Sequence, residues 1–320
     1  MRVVVFGSGE FAIPTLRSIA ADGHEIVGVV SRPDHPRGRG KTSQPTPLKA
    51  AAVDMGFDVL TPPDVNAPEV IRQMRRYGAD LAYVAAFGQK IGEAVRSLFP
   101  VAIVNLHGSL LPALRGAAPV QWAVINGDHH AGVTVFRLVE KMDAGPILVQ
   151  RRTTIGDDET ADELHDRLAR IGCDAVRAAL ELLEADPKAP GTPQDASLAT
   201  TAPKLRKEDG RIRFDVSARG LARRVCGLWP WPGALCEYRS ADGARRHPVT
   251  LARARCAPIA VKRPPAARPG TLDDILHLWA GDGLVEILEI KPAGGRCMSW
   301  QDFVNGRHVK PGDGFFLIDA

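Results

Sequence analysis

In the stretch "VNLHGSLLPALRGAAPVQWAVINGD", an asparagine and a histidine stand two residues apart where an apolar run ends, and both are poor strand formers. If residues 102–107 form a strand, Asn105 and His107 project from one face while Leu106 points away. Asp143, in "EKMDAGPIL", occupies a turn with Gly145 and Pro146 between two strand candidates, from which an acid can fold back to the same sheet edge. An amide, an imidazole and a carboxylate suit acyl or formyl transfer to an amine. The amide and a protonated imidazole donate hydrogen bonds to the developing oxyanion, and the carboxylate orients and charges the histidine or takes the amine proton. No G-x-S-x-G elbow is present and none of the five cysteines neighbours this stretch, so a covalent acyl-enzyme is not expected.

A rival chemistry opens the chain. In "VVVFGSGEFA", Gly7, Gly9 and Ala12 fit the G-x-G-x-x-G/A spacing of a dinucleotide site, and Ser31 and Arg32 at the end of the next strand candidate would suit a 2′-phosphate. On that reading the protein is a dehydrogenase.

Both candidate sites need a scaffold. Residues 2–6, 25–31, 58–61, 80–87 and 102–107 are short runs rich in Val, Ile and Ala between helical patterns. Strands alternating with helices give a parallel α/β sheet, and continuously apolar strands are covered by helices on both faces. Asn105 and His107 then lie at the carboxyl end of a central strand, where open α/β sheets place ligands. Two more strands are expected at 132–138 and 147–154, then a helix over 160–185 capped by Asp157 and Asp158. "DPKAPGTPQDASLATTAP", residues 186–203, has no periodicity and reads as a linker. A helix at 217–227 and short strands at 234–238, 249–255, 270–275 and 284–290 follow, which suggests a small β-barrel. The expected organisation is a doubly wound, mostly parallel α/β domain over 1–188, a linker over 189–203 and a small barrel domain over 204–320.

Composition narrows the partners. Hydrophobic residues at 45% and charged residues at 24% are ordinary for a soluble globular protein, and no apolar run reaches the roughly 18 residues of a membrane span. Met1 leads directly into an apolar strand pattern with no signal-peptide layout, so the cytoplasm is the expected location. Cys173, Cys226, Cys236, Cys256 and Cys297 include no C-x-x-C pair, and His129 and His130 have no third ligand nearby, so neither a disulfide framework nor a metal is expected. Residues 204–268 carry 16 Lys and Arg against five Asp and Glu, a local +11 within an overall +4, which points to a polyanion and first to nucleic acid. Arg219, Arg223 and Arg224 in that block follow helical spacing; Trp229 and Trp231 are read as packing residues before base-stacking ones. The connection over 32–47, "RPDHPRGRGKTSQPTP", is too long for an ordinary βα loop and carries Arg32, Arg37, Arg39 and Lys41 against Asp34 alone, so it is expected to have a function.

The sequence "NLHGSLLPALRGAAPVQWAVINGD" followed by "GVTVFRLVEKMDAGPIL" closely resembles the folate-dependent formyltransferases. Further motifs run through the chain: "GEFAIPTL", "RPDHPRGRGK", "AFGQKI", "KLRKEDGRIRF", "WPWPGA" and "PAGGRCMSWQDFVNG". Those beyond residue 203 resemble the branch that formylates a charged tRNA. The resemblance implies a Rossmann-like formyltransferase domain joined to an OB-like barrel, with formyl transfer from 10-formyltetrahydrofolate to the α-amine of methionine on initiator tRNA. It carries the catalytic roles onto Asn105, His107 and Asp143. It assigns folate contacts to Phe87, Gly88, Gln89, Ile91, Ser109, Leu110, Leu111 and Pro112, and tRNA contacts to Arg39, Lys41, Lys204 and Lys207. No protein partner is implied. Ala113 stands where the family usually has arginine, and Ser8 and Gly9 where it usually has Thr-Pro, which turns the apparent dinucleotide fingerprint into a tight strand-to-helix turn. Two alternatives stay open on the sequence: a relative formylating an amino sugar or nucleotide amine, and an RNA-binding protein on an inactive formyltransferase scaffold.

Overall fold

Val3, Val4, Val5 and Phe6 are fully buried in the first strand, as a run without polar interruption must be when helices cover both faces. A computed structural model of the chain describes residues 1–37, 42–258, 261 and 263–318. These divide into two compact units, the first holding 1–119, 131–153 and 165–202 and the second 120–130, 154–164 and 203–320.

The first unit is built on β1 (Arg2–Gly7), β2 (Glu25–Val30), the short hairpin β3 (His35–Arg37) and β4 (Thr42–Gln44), β5 (Val59–Leu60), β6 (Leu81–Ala85), β7 (Ala102–His107), β8 (Arg115–Gly116), β9 (His130–Arg137), β10 (Ile147–Thr154) and β11 (Thr201–Ala202). The main sheet has the order β10-β9-β7-β6-β1-β2-β5. The pairs from β7 to β5 are parallel, and β9 runs antiparallel to β7. The chain leaves β1 toward β2 on one side and returns to β6 on the other, so the order reverses between β1 and β6. Such a switch point opens a crevice at the carboxyl ends of the strands. Helices α1 (Ile13–Ala21), α2 (Pro47–Asp54), α3 (Pro68–Arg75) and α4 (Glu93–Arg96) connect the parallel strands. Phe6, Phe87 and Phe99 meet edge to face in the core on one side of the sheet.

Three sequence expectations change locally. Helix α5 (Pro119–Asn126) falls almost wholly in the second unit. Helix α6 (Ala161–Ala185) is capped by Thr160, not Asp157 or Asp158: the Thr160 hydroxyl accepts from Glu163 N while the Glu163 carboxylate accepts from Thr160 N, a reciprocal box that engages two amides. The expected linker is not a free tether, because Ala189 and Ala202 are buried and β11 pairs in parallel with β8.

In the second unit, α7 (Ala218–Leu228) lies against α5 at Gly227, where any Cβ would come within 2.5 Å of the Ile125 side chain. Its sheet comprises β12 (Ala234–Arg239), β13 (Arg246–Cys256), β14 (Leu278–Trp279), β15 (Leu284–Pro292), β16 (Met298–Ser299) and β17 (Gly314–Phe316), with the path β14-β15-β13-β12-β17. Thr271 bridges to Gly314 and Leu272 to Leu278, linking the two edges and nearly closing a barrel. The strand expected at 270–275 is limited to those bridges. Asp273 Oδ1 accepts from the amides of Ile275 and His277 and turns the chain instead. Helix α8 (Trp300–Arg307), which the sequence reading missed, stacks Trp300 on Phe303.

Candidate active site at the carboxyl edge of the sheet

Strand β7 alternates as expected. Leu106 lies against Gly172 of α6, where an added Cβ would meet its Cδ2 at 2.7 Å, so Asn105 and His107 face the other way. Asn105 is half-buried, and its side-chain amide bonds to no described residue, which leaves a donor and an acceptor for a ligand.

His107 is only 7% exposed and is fixed through one nitrogen. Nε2 lies 2.9 Å from the Leu114 carbonyl oxygen; since a carbonyl only accepts, Nε2 carries a proton. Nδ1 then faces Asp143, whose Oδ2 is 3.9 Å away, beyond hydrogen-bond distance. The same Oδ2 accepts from the Gly116 amide at 2.8 Å. Both loops are bent tightly to reach this arrangement. Asp143 has φ +52° and Leu114 φ +60°, in the left-handed region that non-glycine residues rarely occupy. Gly116, at φ +123°, has its Cα so close to the chain that a Cβ would stand 2.6 Å from the Ala202 carbonyl oxygen.

The residues assigned to folate divide by what is left to bind. Phe87 and Ile91 are core members, 3% and 5% exposed, so their side chains serve packing. Gly88 adopts φ +79° beside the Arg32 side chain. The Gln89 amide is engaged, with Oε1 accepting from Val65 N at 2.9 Å and Nε2 donating to Pro62 O at 3.0 Å. In the other loop, Ser109 Oγ donates to Ala113 O at 2.6 Å, and Thr134 Oγ1 donates to Ser109 O and accepts from Leu111 N. Gln150 donates to Leu111 O at 2.8 Å, so the loop holding Leu110 and Pro112 is pinned from β9 and β10. Ala113, where the family usually has arginine, contributes its backbone to this turn.

In the turn at "GSGEFA" the Ser8 groups are taken up by the chain itself. The Ser8 amide donates to Ala86 O at 3.2 Å, and its hydroxyl donates to Phe87 O at 3.1 Å. Gly7 is required by packing, since a Cβ there would lie 2.7 Å from Leu48 and 2.8 Å from Ala85 O; a Cβ at Gly9 would meet only ordinary contact.

Arg39 and Lys41 lie outside the described residues. Lys204 and Lys207 are exposed in the second unit. Much of the positive charge there is paired: Arg253 with Glu163 and Glu289, Arg255 with Glu286, Arg213 with Asp215. Arg224 donates to Asp209 O and Arg223 sits over Gly127, which leaves Arg219 as the exposed member of that helical trio. Trp231 is half exposed, and Trp229 lies under Lys291 Nζ at 6.0 Å. The His129 and His130 rings contact each other, and no group of three or more His, Cys, Asp or Glu among the described residues could hold a metal. No helix among them is long and apolar enough to cross a membrane.

Sequence reasoning missed Gln194 and Thr200, both in the presumed linker. Gln194 Nε2 donates to the carbonyls of Asp143 (2.9 Å) and Gly145 (2.7 Å), and Thr200 Oγ1 accepts from Leu114 N at 2.8 Å. Their only sequence signal was the polar character of a segment without periodicity.

The formyl transferase family matches residues 1–180 of this doubly wound unit, and its C-terminal domain matches residues 204–308. The chain is 40% identical to a methionyl-tRNA formyltransferase of Solibacter usitatus, over 97% of this chain and 96% of that one. It is 39% identical to one of Methylobacterium sp., over 98% of each. The chain belongs to the methionyl-tRNA formyltransferase family. The crystal structure of HypX from Aquifex aeolicus in complex with tetrahydrofolic acid shares the fold, with a TM-score of 0.60 and 18% identity over 97% of this chain and 48% of HypX.

Proposed function

We propose that this protein transfers the formyl group of 10-formyltetrahydrofolate to the α-amine of methionine esterified to initiator tRNA, in the cytoplasm, for translation initiation. The observation that supports this reading is His107 Nδ1 turned toward Asp143 at 3.9 Å, on the strand that carries Asn105 two residues before it on the same face. Asn105 suits a formyl donor because its amide bonds to no described residue. The amine nitrogen forms a bond to the formyl carbon as the bond from that carbon to N10 breaks. Asn105 donates to the oxygen that becomes negative on the way. His107 joins it through Nδ1–H, which requires the charged ring, because Nε2–H already donates to Leu114. Asp143 stabilises that charge and accepts the proton the amine loses, and that same proton passes to N10 as it departs. No step in this scheme calls on a metal. Phe87, Gly88, Gln89 and Ile91 on one side and Ser109, Leu110, Leu111 and Pro112 on the other shape the folate crevice, mostly through backbone and packing. Arg39 and Lys41 serve the acceptor end of the tRNA, and Lys204 and Lys207 its phosphates.

Labelled formyl transfer from 10-formyltetrahydrofolate tests the proposal when charged initiator tRNA, charged elongator tRNA and a panel of amino sugars compete as acceptors. Transfer is expected to the initiator tRNA. Transfer to a sugar amine in preference, or none to any tRNA, would overturn it.

A further inference from the structure

Resting on the formyl-transfer reading, we infer that Gln194 is the positioning residue that holds Asp143 in register with His107. The catalytic acid sits on a turn whose backbone adopts an unfavourable φ of +52°, so something must hold it there. The first-unit contacts show what does. Both amide hydrogens of Gln194 are engaged by this turn, on the carbonyls of Asp143 and Gly145. Its Oε1 accepts from Arg115 Nη2 at 2.6 Å and Nε at 3.2 Å, and Arg115 is the immediate neighbour of the two residues that touch the catalytic pair: Leu114, which anchors His107, and Gly116, which donates to Asp143. One side chain therefore ties the acid's turn to the loop that fixes the histidine. The rest of the segment reinforces it: Thr192 and Ile147 exchange amide bonds of 2.7 and 2.8 Å, and Thr200 accepts from Leu114 N. Among the described residues Gln194 bonds only backbone and Arg115, and it reaches the reaction through Asp143.

Amide chemistry makes the inference testable by a near-isosteric change. Gln194→Glu keeps size and the Arg115 interaction but sets a carboxylate against two carbonyl oxygens, removing both donors to the turn. Gln194→Ala removes the tie altogether, and thermal unfolding checks that each variant folds. Displacement of a catalytic group by about 1 Å can cost on the order of a hundredfold in rate. In formylation kinetics both variants should lose roughly ten- to a hundredfold in kcat, with KM for the tRNA nearly unchanged. In an Asp143→Asn background, Gln194→Glu should cost little more, since the residue it positions is already disabled. Hydrogen exchange over residues 139–147 should quicken in both variants without any substrate present. Unchanged exchange would overturn the inference whatever the acceptor is. Wild-type kcat in both variants, or a loss that multiplies undiminished in the Asp143→Asn background, would overturn it too. Absence of formylation by the wild-type protein would overturn the proposed function instead, and the exchange measurement would still decide on Gln194.

Discussion

The carboxyl edge of the first sheet and the many basic residues of the second unit are built on opposite principles. At the edge, side chains are fixed by single, directional bonds: His107 by one carbonyl, Asp143 by one amide and a buttressed turn. In the second unit, positive charge is spread over many arginines and lysines, several of them already paired with acids. Chemistry requires position, and removal of one group there cannot be shared by its neighbours. Holding a polyanion requires only summed charge, so removal of one cation is diluted among the rest. Substitutions should therefore be all-or-none in the first region and graded in the second.

The largest effect is expected where the comparison is sharpest. Asn105→Ala, His107→Ala and Asp143→Asn should each lower kcat by about a hundred- to a thousandfold, the usual loss for one oxyanion donor or its partner, with tRNA binding retained. Steady-state formylation and filter binding on the same preparations measure both. Gly116→Ala should follow. Its Cβ would clash with the Ala202 carbonyl and it needs a positive φ, so it should lose about 1–3 kcal/mol of stability to urea and also turnover, through the amide that Asp143 accepts.

On the other side of the comparison, Lys204→Gln with Lys207→Gln should weaken tRNA binding while leaving kcat at saturating tRNA unchanged. The log-log salt slope should become shallower by about 0.7 for each phosphate that is no longer neutralised. A binding series from low to high salt reads this directly, and a collapse of kcat in this variant would break the division between the two regions. The smallest effect belongs to the surface. Arg177 Nε donates to Asp22 at 3.0 Å and holds that carboxyl below its ordinary range. A lowered folded pKa gives stability that is full above the ordinary carboxylate value and is lost only as pH falls on through the lower folded value. Arg177→Met should thus be slightly less heat-stable than wild type at about pH 7, with the difference shrinking only once the pH falls below the ordinary carboxylate value.

The parts legible in sequence were those encoded by neighbours. Asn105 and His107 declare themselves through strand alternation, and Asp143 through its Gly-Pro turn, because two or three adjacent residues suffice to place each of them. The β7 edge and the barrel strands β12, β13 and β15 followed from apolar runs in the same way, whereas the short β14, β16 and β17 did not. Gln194 and Thr200 were invisible because their partners lie 51 and 86 positions away, in loops whose approach no periodicity records. The same holds for α5. Its helical pattern says nothing of Gly227, where the absence of a side chain lets α7 come close enough to draw residues 120–130 into the second unit. Residues 120–130 and 154–164 belong with the barrel, so a chain cut at 203 would strand part of that unit in the wrong piece. Substitutions test the second unit more cleanly than truncation.

Single-turnover formyl transfer to charged initiator tRNA, measured across a salt series for wild type and Asn105→Ala, tests the central claim most directly. Asn105→Ala should lower the chemical rate at saturating tRNA by about a hundredfold or more, while its salt dependence of tRNA binding overlays that of wild type. A rate close to wild type, or a changed salt slope, would contradict the assignment of chemistry to the sheet edge and of affinity to the basic residues of the second unit.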